Sequence, residues 1–383
     1  MKIRLGMIGG GPGSFIGAVH RKAAALDGMF DLVCGSFSSD PEKSKQTGRE
    51  HQLDPGRVYG TYNEMMIREA ALDDGNRMQA VAIVTPNHLH AGPAITALEN
   101  GFHVILDKPM AFSLDEARKM KAVVERSGLV FALTHTYAGY PMVKEARHLV
   151  SSGKIGTLRK IFVEYPQGWL TGFLEKDGQK QASWRTDPAR SGAGGSVGDI
   201  GTHAAHLAEY VSGLKITHVC AQLNTMVVGR LLDDDAAALL RFEEGVSGVL
   251  VATQIAAGEE NNLKLRIYGD KGGLEWSHAD PNTLLVKPAD GPVHVYRAGS
   301  GYLSDAASNV TRLPAGHPEG YTEAFANIYT AFARAVNDHG SGRYQSAAGY
   351  DFPTVDEGVR GMAFIETMIA SSASDQKWTN LSI

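Results

Sequence analysis

The sequence predicts two domains of different class, an α/β domain over residues 1–136 and an α+β domain over 137–383. Three observations predict this. Short apolar runs alternate with helical patterns through the first third, and the first run ends in a glycine-rich turn. From about Tyr137 that alternation stops, and beyond the helix ending near Ser212 strand candidates follow one another across short turns. With 383 residues the chain is also long for a single hydrophobic core.

Ile3 to Ile8 is the first apolar run, and it leads into Gly9-Gly10-Gly11-Pro12-Gly13-Ser14-Phe15-Ile16-Gly17. Ile16, Val19, Ala23 and Leu26 then recur at helical spacing. In a strand–loop–helix unit, glycines permit a tight turn and the helix N-terminus offers N–H groups to a pyrophosphate. With Gly9, Gly11 and Gly17 as its glycines, this loop is longer than the standard G-x-G-x-x-G. Phe30–Phe37 is the second strand, and Asp40-Pro41-Glu42 opens a polar helix. Tyr62–Ala71 is helical. Ala80–Thr85 is a fully apolar strand stopped by Pro86, and the helix Asn87–Glu99 ends at Asn100-Gly101. Phe102–Leu106 is the fourth strand. Ser113-x-x-Glu116 is a capping box for a helix closed by Ser127-Gly128, and Leu129–Leu133 is the last strand. Such alternation builds a parallel sheet covered on both faces, and ligands of that fold sit beyond the carboxyl ends of the strands. Two loops fall there: Thr85-Pro86-Asn87-His88-Leu89-His90 and Asp107-Lys108-Pro109.

The position after the second strand discriminates NAD from NADP, since an acid there bonds the ribose hydroxyls. About 20 residues past the glycine turn it is occupied by Ser38, followed by Ser39 and Asp40, with Lys43 one turn on. Serine tolerates a 2′-phosphate and Asp40 has the reach for a ribose, so both cofactors stay open.

In the second domain, Tyr137–Ser151 is a helix and Arg159–Tyr165 a strand. An irregular stretch, Gln167–Arg190, carries Trp169, Trp184 and Arg185. Loops of this length are often functional; Trp184-Arg185 reads either as substrate-facing or as a packed indole beside a surface cation. Next comes Ser191-Gly-Ala-Gly-Gly-Ser-Val-Gly-Asp199-Ile-Gly-Thr-His203-Ala-Ala-His206, glycine-rich at first and then helical. Asp199 and His203, four apart, share a helix face. Such a pair suits proton transfer, because a carboxylate fixes the tautomer of an imidazole and raises its basicity. Asp199 also reads as a helix N-cap. Strands follow at His218–Val228, Ala236–Phe242, Val246–Ala257, Leu263–Tyr268, Gly273–Ser277, Thr283–Lys287 and Val293–Arg297, which makes an antiparallel or mixed sheet. One face of that sheet is expected to meet helices and the other a partner subunit. Gly320–Asn337 and the helix opened by Thr354-x-x-Glu357 end the chain, the latter running to about Ser371 with room to pack back on the first domain.

Hydrophobic residues make up 43% and charged residues 21%, with a net charge of −5 from interspersed groups. No basic run points to nucleic acid, and two cysteines, Cys34 and Cys220, are neither a disulfide framework nor a zinc set. No apolar run approaches the roughly 18 residues of a membrane span, and the N-terminus lacks signal-peptide features. A cytoplasmic location is expected.

The motifs together resemble the Gfo/Idh/MocA oxidoreductases, named for glucose–fructose oxidoreductase and inositol dehydrogenase. The resemblance rests on the N-terminal glycine turn, Thr85-Pro86-Asn87-x-x-His90, Ala97-Leu-Glu-Asn-Gly101, Asp107-Lys108-Pro109, Ser113-x-x-Glu116-Ala117, Ser152-Gly-Lys-Ile-Gly156, Trp184-Arg185 and Asp199-Ile-Gly-Thr-His203. It spans nearly the whole chain and implies a Rossmann domain followed by an open-faced, predominantly antiparallel sheet, assembled as homodimers or homotetramers through that sheet. It implies NAD or NADP held by Gly9, Gly11, Pro12, Gly13, Ser14, Phe15, Ile16, Ser38, Ser39, Lys43, Thr85, Pro86, Asn87, His90, Asp107 and Lys108. The expected reaction is hydride transfer from a ring carbon of an inositol, aldopyranose or related polyol. Lys108, Asp199 and His203 would be catalytic, with His203 taking the hydroxyl proton and Lys108 stabilising the oxygen. An ordinary histidine titrates near about 6.5, which would favour oxidation at neutral-to-alkaline pH. The substrate would be lined by Lys108, Tyr165, Gln167, Trp169, Trp184, Arg185, Asp199, His203 and His206. Tyr137 and the loop His317-Pro-Glu-Gly-Tyr321 are more remote candidates, and His90 supports its loop without carrying protons.

Three departures stand out. Asp107 replaces the family's usual glutamate, the phosphate loop is longer, and His206 stands where aspartate is common. It either contacts substrate or packs below His203. Two readings of other classes exist: a metal-dependent lyase or hydrolase on Asp199, His203 and His206, and a non-catalytic nicotinamide sensor. The dinucleotide turn weighs against the first, and the presence of both Lys108 and His203 against the second.

Overall fold

The structure is a computed structural model that describes residues 2–383. The chain divides into two compact units: residues up to Thr136 with Phe325–Val359, and Tyr137–Ala324 with Arg360–Ile383.

In the first unit, strands β1 (Ile3–Gly9), β2 (Phe30–Ser36), β3 (Ala80–Val84), β4 (His103–Leu106) and β5 (Phe131–Leu133) pair in the order β2-β1-β3-β4-β5, all parallel. Every residue of β3 and β4 is buried, which is why these strands read as unbroken apolar runs. The helices are α1 (Phe15–Leu26), α2 (Pro41–Glu50), α3 (Tyr62–Ala70), α4 (Ala91–Glu99) and α5 (Leu114–Ser127). Side chains of Ser14, Asp40, Thr61 and Ser113 accept from the first-turn N–H groups of α1, α2, α3 and α5. Gly128, in the left-handed region at φ 66°, ends α5. The segment Phe325–Val359 belongs to this unit, whereas the sequence places it in the second domain. The reason is aromatic packing: Phe332 stacks on Phe30 at 6.3 Å, Tyr329 meets the same ring edge-on, and Leu133 N donates to Pro353 O at 2.8 Å.

The second unit begins with α6 (Pro141–Ser151), started by the proline and not at Tyr137 as the sequence suggests. Its sheet comprises β6 (Leu158–Pro166), β7 (Ile216–Asn224), β8 (Asp235–Phe242), β9 (Ser247–Thr253), β10 (Lys264–Gly269), β11 (Gly272–Ser277), β12 (Thr283–Pro288), β13 (His294–Arg297) and β14 (Thr379–Asn380). Their order is β13-β12-β11-β10-β6-β9-β8-β7-β14, antiparallel except for the central β6–β9 pair. Burial alternates along β6, β8 and β9, with Ile161, Val163, Tyr165, Leu240, Leu250 and Ala252 on the covered face. Helices α6 and α9 (Thr202–Ser212) lie against it. The other face stays partly open, Leu239 and Val295 being about half exposed.

Two stretches differ from expectation. Gln167–Arg190 is not wholly irregular: it contains the short helices α7 (Lys180–Arg185) and α8 (Pro188–Ser191). Strand β7 stops at Asn224 instead of reaching Val228, because the Asp234 carboxylate takes the N–H groups of Met226 and Val227 into a loop. Arg230 locks that loop onto the preceding stretch. Its guanidinium bonds Leu170 O, Gly172 O, Glu175 and Asp234, and its side chain is 1% exposed. Replacing Arg230 with Met should therefore leave two acids without their cation and cost about 3–5 kcal/mol, read as a lowered urea midpoint. A midpoint within error of the unmodified protein would contradict this.

Candidate functional site

The candidate residues fall in both units, and each set is built by its own unit. In the first, the glycine turn caps the carboxyl end of β1. Gly9, Gly10 and Gly13 have φ of 84°, 77° and 73°, a region open mainly to glycine. Gly11 N donates to Phe37 O at 3.0 Å, and a Cβ on Gly11 would stand 2.7 Å from that oxygen. Gly17 faces Gly10 so closely that a Cβ would lie 2.3 Å from its Cα, so α1 packs tightly on the turn. Pro12, Gly13 and Phe15 are exposed at its rim, beside half-buried Ser14 and Ile16. Despite the longer loop, these features fit a dinucleotide pyrophosphate at a helix N-terminus.

Beyond β2, Ser38 is half-buried and Ser39 exposed. The Asp40 carboxylate is engaged as the cap of α2, accepting from Glu42 N at 3.0 Å and Lys43 N at 3.4 Å, with Lys43 Nζ at 3.7 Å. The two strand-end loops are tied together by His90. This ring is buried, with Nε2 2.7 Å from Thr85 O and Nδ1 2.8 Å from Pro109 O. Burial holds it below the usual histidine range, despite Asp107 and the two carbonyls. A neutral ring donates through one nitrogen at a time. Thr85 Oγ1 donates to Leu89 O, Pro86 starts the turn and Asn87 is buried within it.

Asp107 continues the sheet, its N–H donating to Ile83 O at 3.0 Å, and its carboxylate accepts from Thr134 Oγ1 at 2.9 Å. Burial pushes this carboxyl up, but His20, Lys108 and His90 outweigh it and hold it at about 2. Lys108 is half-buried on the adjoining turn. His20, in α1, had no sequence signal beyond a polar residue inside an apolar stripe; its Nε2 stands 3.6 Å from Asp107.

In the second unit the glycine-rich run starts at a buried acid that the sequence did not single out. Asp233 accepts from Gly195 N at 2.6 Å, Ser196 Oγ at 2.7 Å and Val197 N at 2.8 Å. A Cβ on Gly195 would lie 2.0 Å from Asp233 O. This glycine is thus required for packing, not for close approach of a ligand. The expectation that Asp199 is a helix N-cap is corrected: Asp233 caps the segment, and Asp199 lies inside a wider π-helical turn, Val197–Gly201, that leads into α9. Such turns are frequent at functional sites.

Asp199 Oδ2 accepts from Gln254 Nε2 at 2.9 Å and lies 3.4 Å from Arg185 Nε. Arg185 also bonds Gln181 and covers the Trp184 ring at 4.3 Å. Gln254 continues to Gln167 Oε1 at 3.3 Å, and Trp169 Nε1 donates to the same oxygen at 3.0 Å. Gln167 Nε2 donates to Asn261 Oδ1, which also accepts from Tyr165 Oη, both at 2.6 Å. Tyr165 is hydrogen-bonded to Tyr137, whose ring stands edge-on to His203 at 4.9 Å. Burial pushes the Tyr137 hydroxyl up to about 12, so it remains a neutral phenol. His278 joins through Asn261 and Tyr140 Oη, at 2.7 Å from Asn261 O and 3.0 Å from Tyr140 Oη. The candidates Tyr165, Gln167, Trp169 and Asp199 therefore belong to one hydrogen-bonded chain, with Arg185 ion-paired to its Asp199 end and His203 against its Tyr137 end. Gln254, Asn261 and His278, which close it, lie in the loops beyond β9 and β11, where polar residues carry no spacing signal. His206 stacks on Tyr210 at 5.9 Å, and Tyr321 faces His278 at 6.5 Å, while His317 is exposed.

The depressed Asp107 carboxyl has a measurable consequence. Its stabilisation is complete above the unfolded value near about 4 and is lost as pH falls through the folded value of about 2. Asp107→Asn should be about 2 kcal/mol less stable at neutral pH, and the difference should shrink between about pH 4 and pH 2 in acid titrations followed by circular dichroism. A difference independent of pH would contradict this.

Residues 3–135 match the oxidoreductase family, NAD-binding Rossmann fold, and residues 143–275 match the GFO/IDH/MocA C-terminal domain. An oxidoreductase from Sinorhizobium meliloti of known crystal structure is 46% identical, with a TM-score of 0.88 and 99% of each chain covered. An inositol dehydrogenase homolog from Azotobacter vinelandii, solved with NADH and myo-inositol, is 32% identical, with a TM-score of 0.92 over 99% of this chain and 98% of that one. The levoglucosan dehydrogenase of Pseudarthrobacter phenanthrenivorans is 27% identical over 99% of this chain and 98% of its own. With the Rossmann sheet, the glycine turn and the second-unit sheet already on view, the chain belongs to the Gfo/Idh/MocA family of NAD-binding oxidoreductases.

Proposed function

We propose that the enzyme oxidises a secondary hydroxyl of an uncharged cyclic polyol or sugar, an inositol or an aldopyranose, to the ketone or lactone. The observation that carries this reading is the chain Asp199–Gln254–Gln167–Asn261–Tyr165–Tyr137, in which amide and phenol groups predominate. Amides and phenols both donate and accept, as neutral hydroxyls do. Arg185, beside that chain, is already paired with Asp199 and bonded to Gln181, which argues against a phosphorylated sugar. The named substrates of the inositol dehydrogenase homolog and of levoglucosan dehydrogenase support the same class.

When bound, NAD supplies the hydride acceptor. The glycine turn 9–17 would hold its pyrophosphate, and Ser38, Ser39, Lys43 and the loops at Thr85–His90 and Asp107–Lys108 its remaining parts. His203 takes the substrate hydroxyl proton, Asp199 orients the imidazole, and Lys108 stabilises charge developing on the oxygen. Tyr165, Gln167, Trp169, Trp184, Arg185 and His206 complete the substrate wall in this reading. With Asp40 engaged as a helix cap, Ser38 leaves room for NADP as well as NAD, so Ser38→Asp should impair use of NADP far more than of NAD. The half-open outer face of the second-unit sheet suits a homodimer or homotetramer.

The metal-dependent alternative has less support. Among the described residues no three His, Cys, Asp or Glu side chains are grouped to hold a metal. No helix among them is long and apolar enough to cross a membrane.

His203→Ala should lower the rate of NAD reduction by about 10²-fold or more while leaving NAD affinity nearly intact. Turnover within a factor of a few of the unmodified enzyme would overturn the assignment. Inositols, hexoses, glycosides and sugar phosphates tested with both cofactors should give activity in the uncharged group; activity confined to phosphorylated sugars would refute the substrate class.

A further inference from the structure

We infer that His20 and Tyr329 are positioning residues for Lys108, acting through the Asp107 carboxylate; the inference rests on the role assigned to Lys108 above. His20 is fully buried in α1. Its Nδ1 lies 2.7 Å from Tyr329 Oη and its Nε2 lies 3.6 Å from Asp107 Oδ1. Among the described residues Nε2 of His20 is the buried side-chain nitrogen or oxygen left without a hydrogen bond. A buried polar atom in that state is costly and needs a reason.

The carboxylate supplies one. With Asp107 as the group nearest Nε2, the favoured tautomer carries its proton there, and Nδ1 accepts from the Tyr329 hydroxyl. Tyr329, His20 and Asp107 then form a directional series, phenol to imidazole to carboxylate. The last step, at 3.6 Å, is open by less than a bond length. Thr134 Oγ1, in the residue just past β5, holds the carboxylate, so Asp107 lies between two elements. That matters because Asp107 precedes Lys108 and the two side chains attract each other electrostatically. Without the imidazole, Thr134 remains as a restraint on the carboxylate, but its pull on the lysine ammonium is no longer shared with His20, and the ammonium would be displaced toward it. A core filler alone does not require this arrangement: an apolar side chain of the same size would fill the space at less cost.

Kinetics of the intact enzyme with NAD and its best polyol, together with NAD affinity by fluorescence, test the inference. His20→Phe keeps the volume and should lower kcat about 10-fold, with the NAD dissociation constant changed by no more than about twofold. Tyr329→Phe should give a smaller loss in the same direction. Asp107→Asn combined with His20→Phe should be no slower than the slower single variant, because both act on one element. Multiplying losses, or an unchanged kcat in His20→Phe, would overturn the inference. Long-range proton–nitrogen spectra of the unmodified protein supply a readout independent of any variant's folding: Nε2 of His20 should carry the proton and Nδ1 should not, and the opposite tautomer would overturn the inference. Lys108→Met separates the two levels. Full turnover in that variant would refute the role of Lys108 itself, whereas a dead Lys108→Met beside a normal His20→Phe would refute only the role of His20.

Discussion

One buried carboxylate decides where the glycine-rich run of the second unit becomes helical. Asp233 accepts from two backbone N–H groups, Gly195 and Val197, and from the Ser196 hydroxyl, so the residues from Gly195 to Val197 have a single place to go. Burial pushes its carboxyl up, while those three donors pull the other way. Gly195 follows from the same contact, because any side chain there would run into Asp233 O. The wider turn through Gly201 then sets the relation of Asp199 to His203, and from Asp199 the hydrogen bonds extend through Gln254 to the tyrosines. An error at Asp233 would propagate to every group in that chain.

The first unit uses the same device with different partners. Its candidate residues sit on strand-end loops, where backbone groups lack ladder partners and must be met by side chains. His90 spans two such loops, and Asp107 is held by Thr134 and faced by His20. The glycine turn is fixed by backbone: Gly11 against Phe37, and Gly17 against Gly10. Each unit thus presents candidate side chains on irregular backbone while the groups beneath are buried and bonded. Rigid support of this kind is what charge stabilisation and proton transfer require, since donors must be in place before charge develops.

Much of this was legible in the sequence, and the exceptions have physical causes. Period and caps located the parallel strands and their helices to within a few residues, because β3 and β4 are buried on both faces and Asp40 and Ser113 mark helix starts. Lys108, Asp199 and His203 were reached through motif order, since short motifs in fixed succession carry more than any one spacing. Asp233, Gln254, Asn261 and His278 were not, because they meet the site only through pairing of strands distant in sequence, and a polar residue at a strand end looks like any other. The end of β7 was misplaced for a similar reason. Thr225–Val228 has strand-like composition, but the Asp234 carboxylate takes the N–H groups of Met226 and Val227 out of the ladder. The π-helical turn at Val197–Gly201 has no period that a helical pattern would reveal.

The central claim is that hydride passes from a ring carbon of an uncharged cyclic polyol to NAD. Its most direct test is turnover of a substrate deuterated at the oxidised carbon, with the reduced nicotinamide then examined by mass spectrometry. The account predicts that the deuterium is recovered in the cofactor and that the label slows the single-turnover rate. Product formation with the label lost to solvent, or proceeding without reduction of NAD, would contradict it.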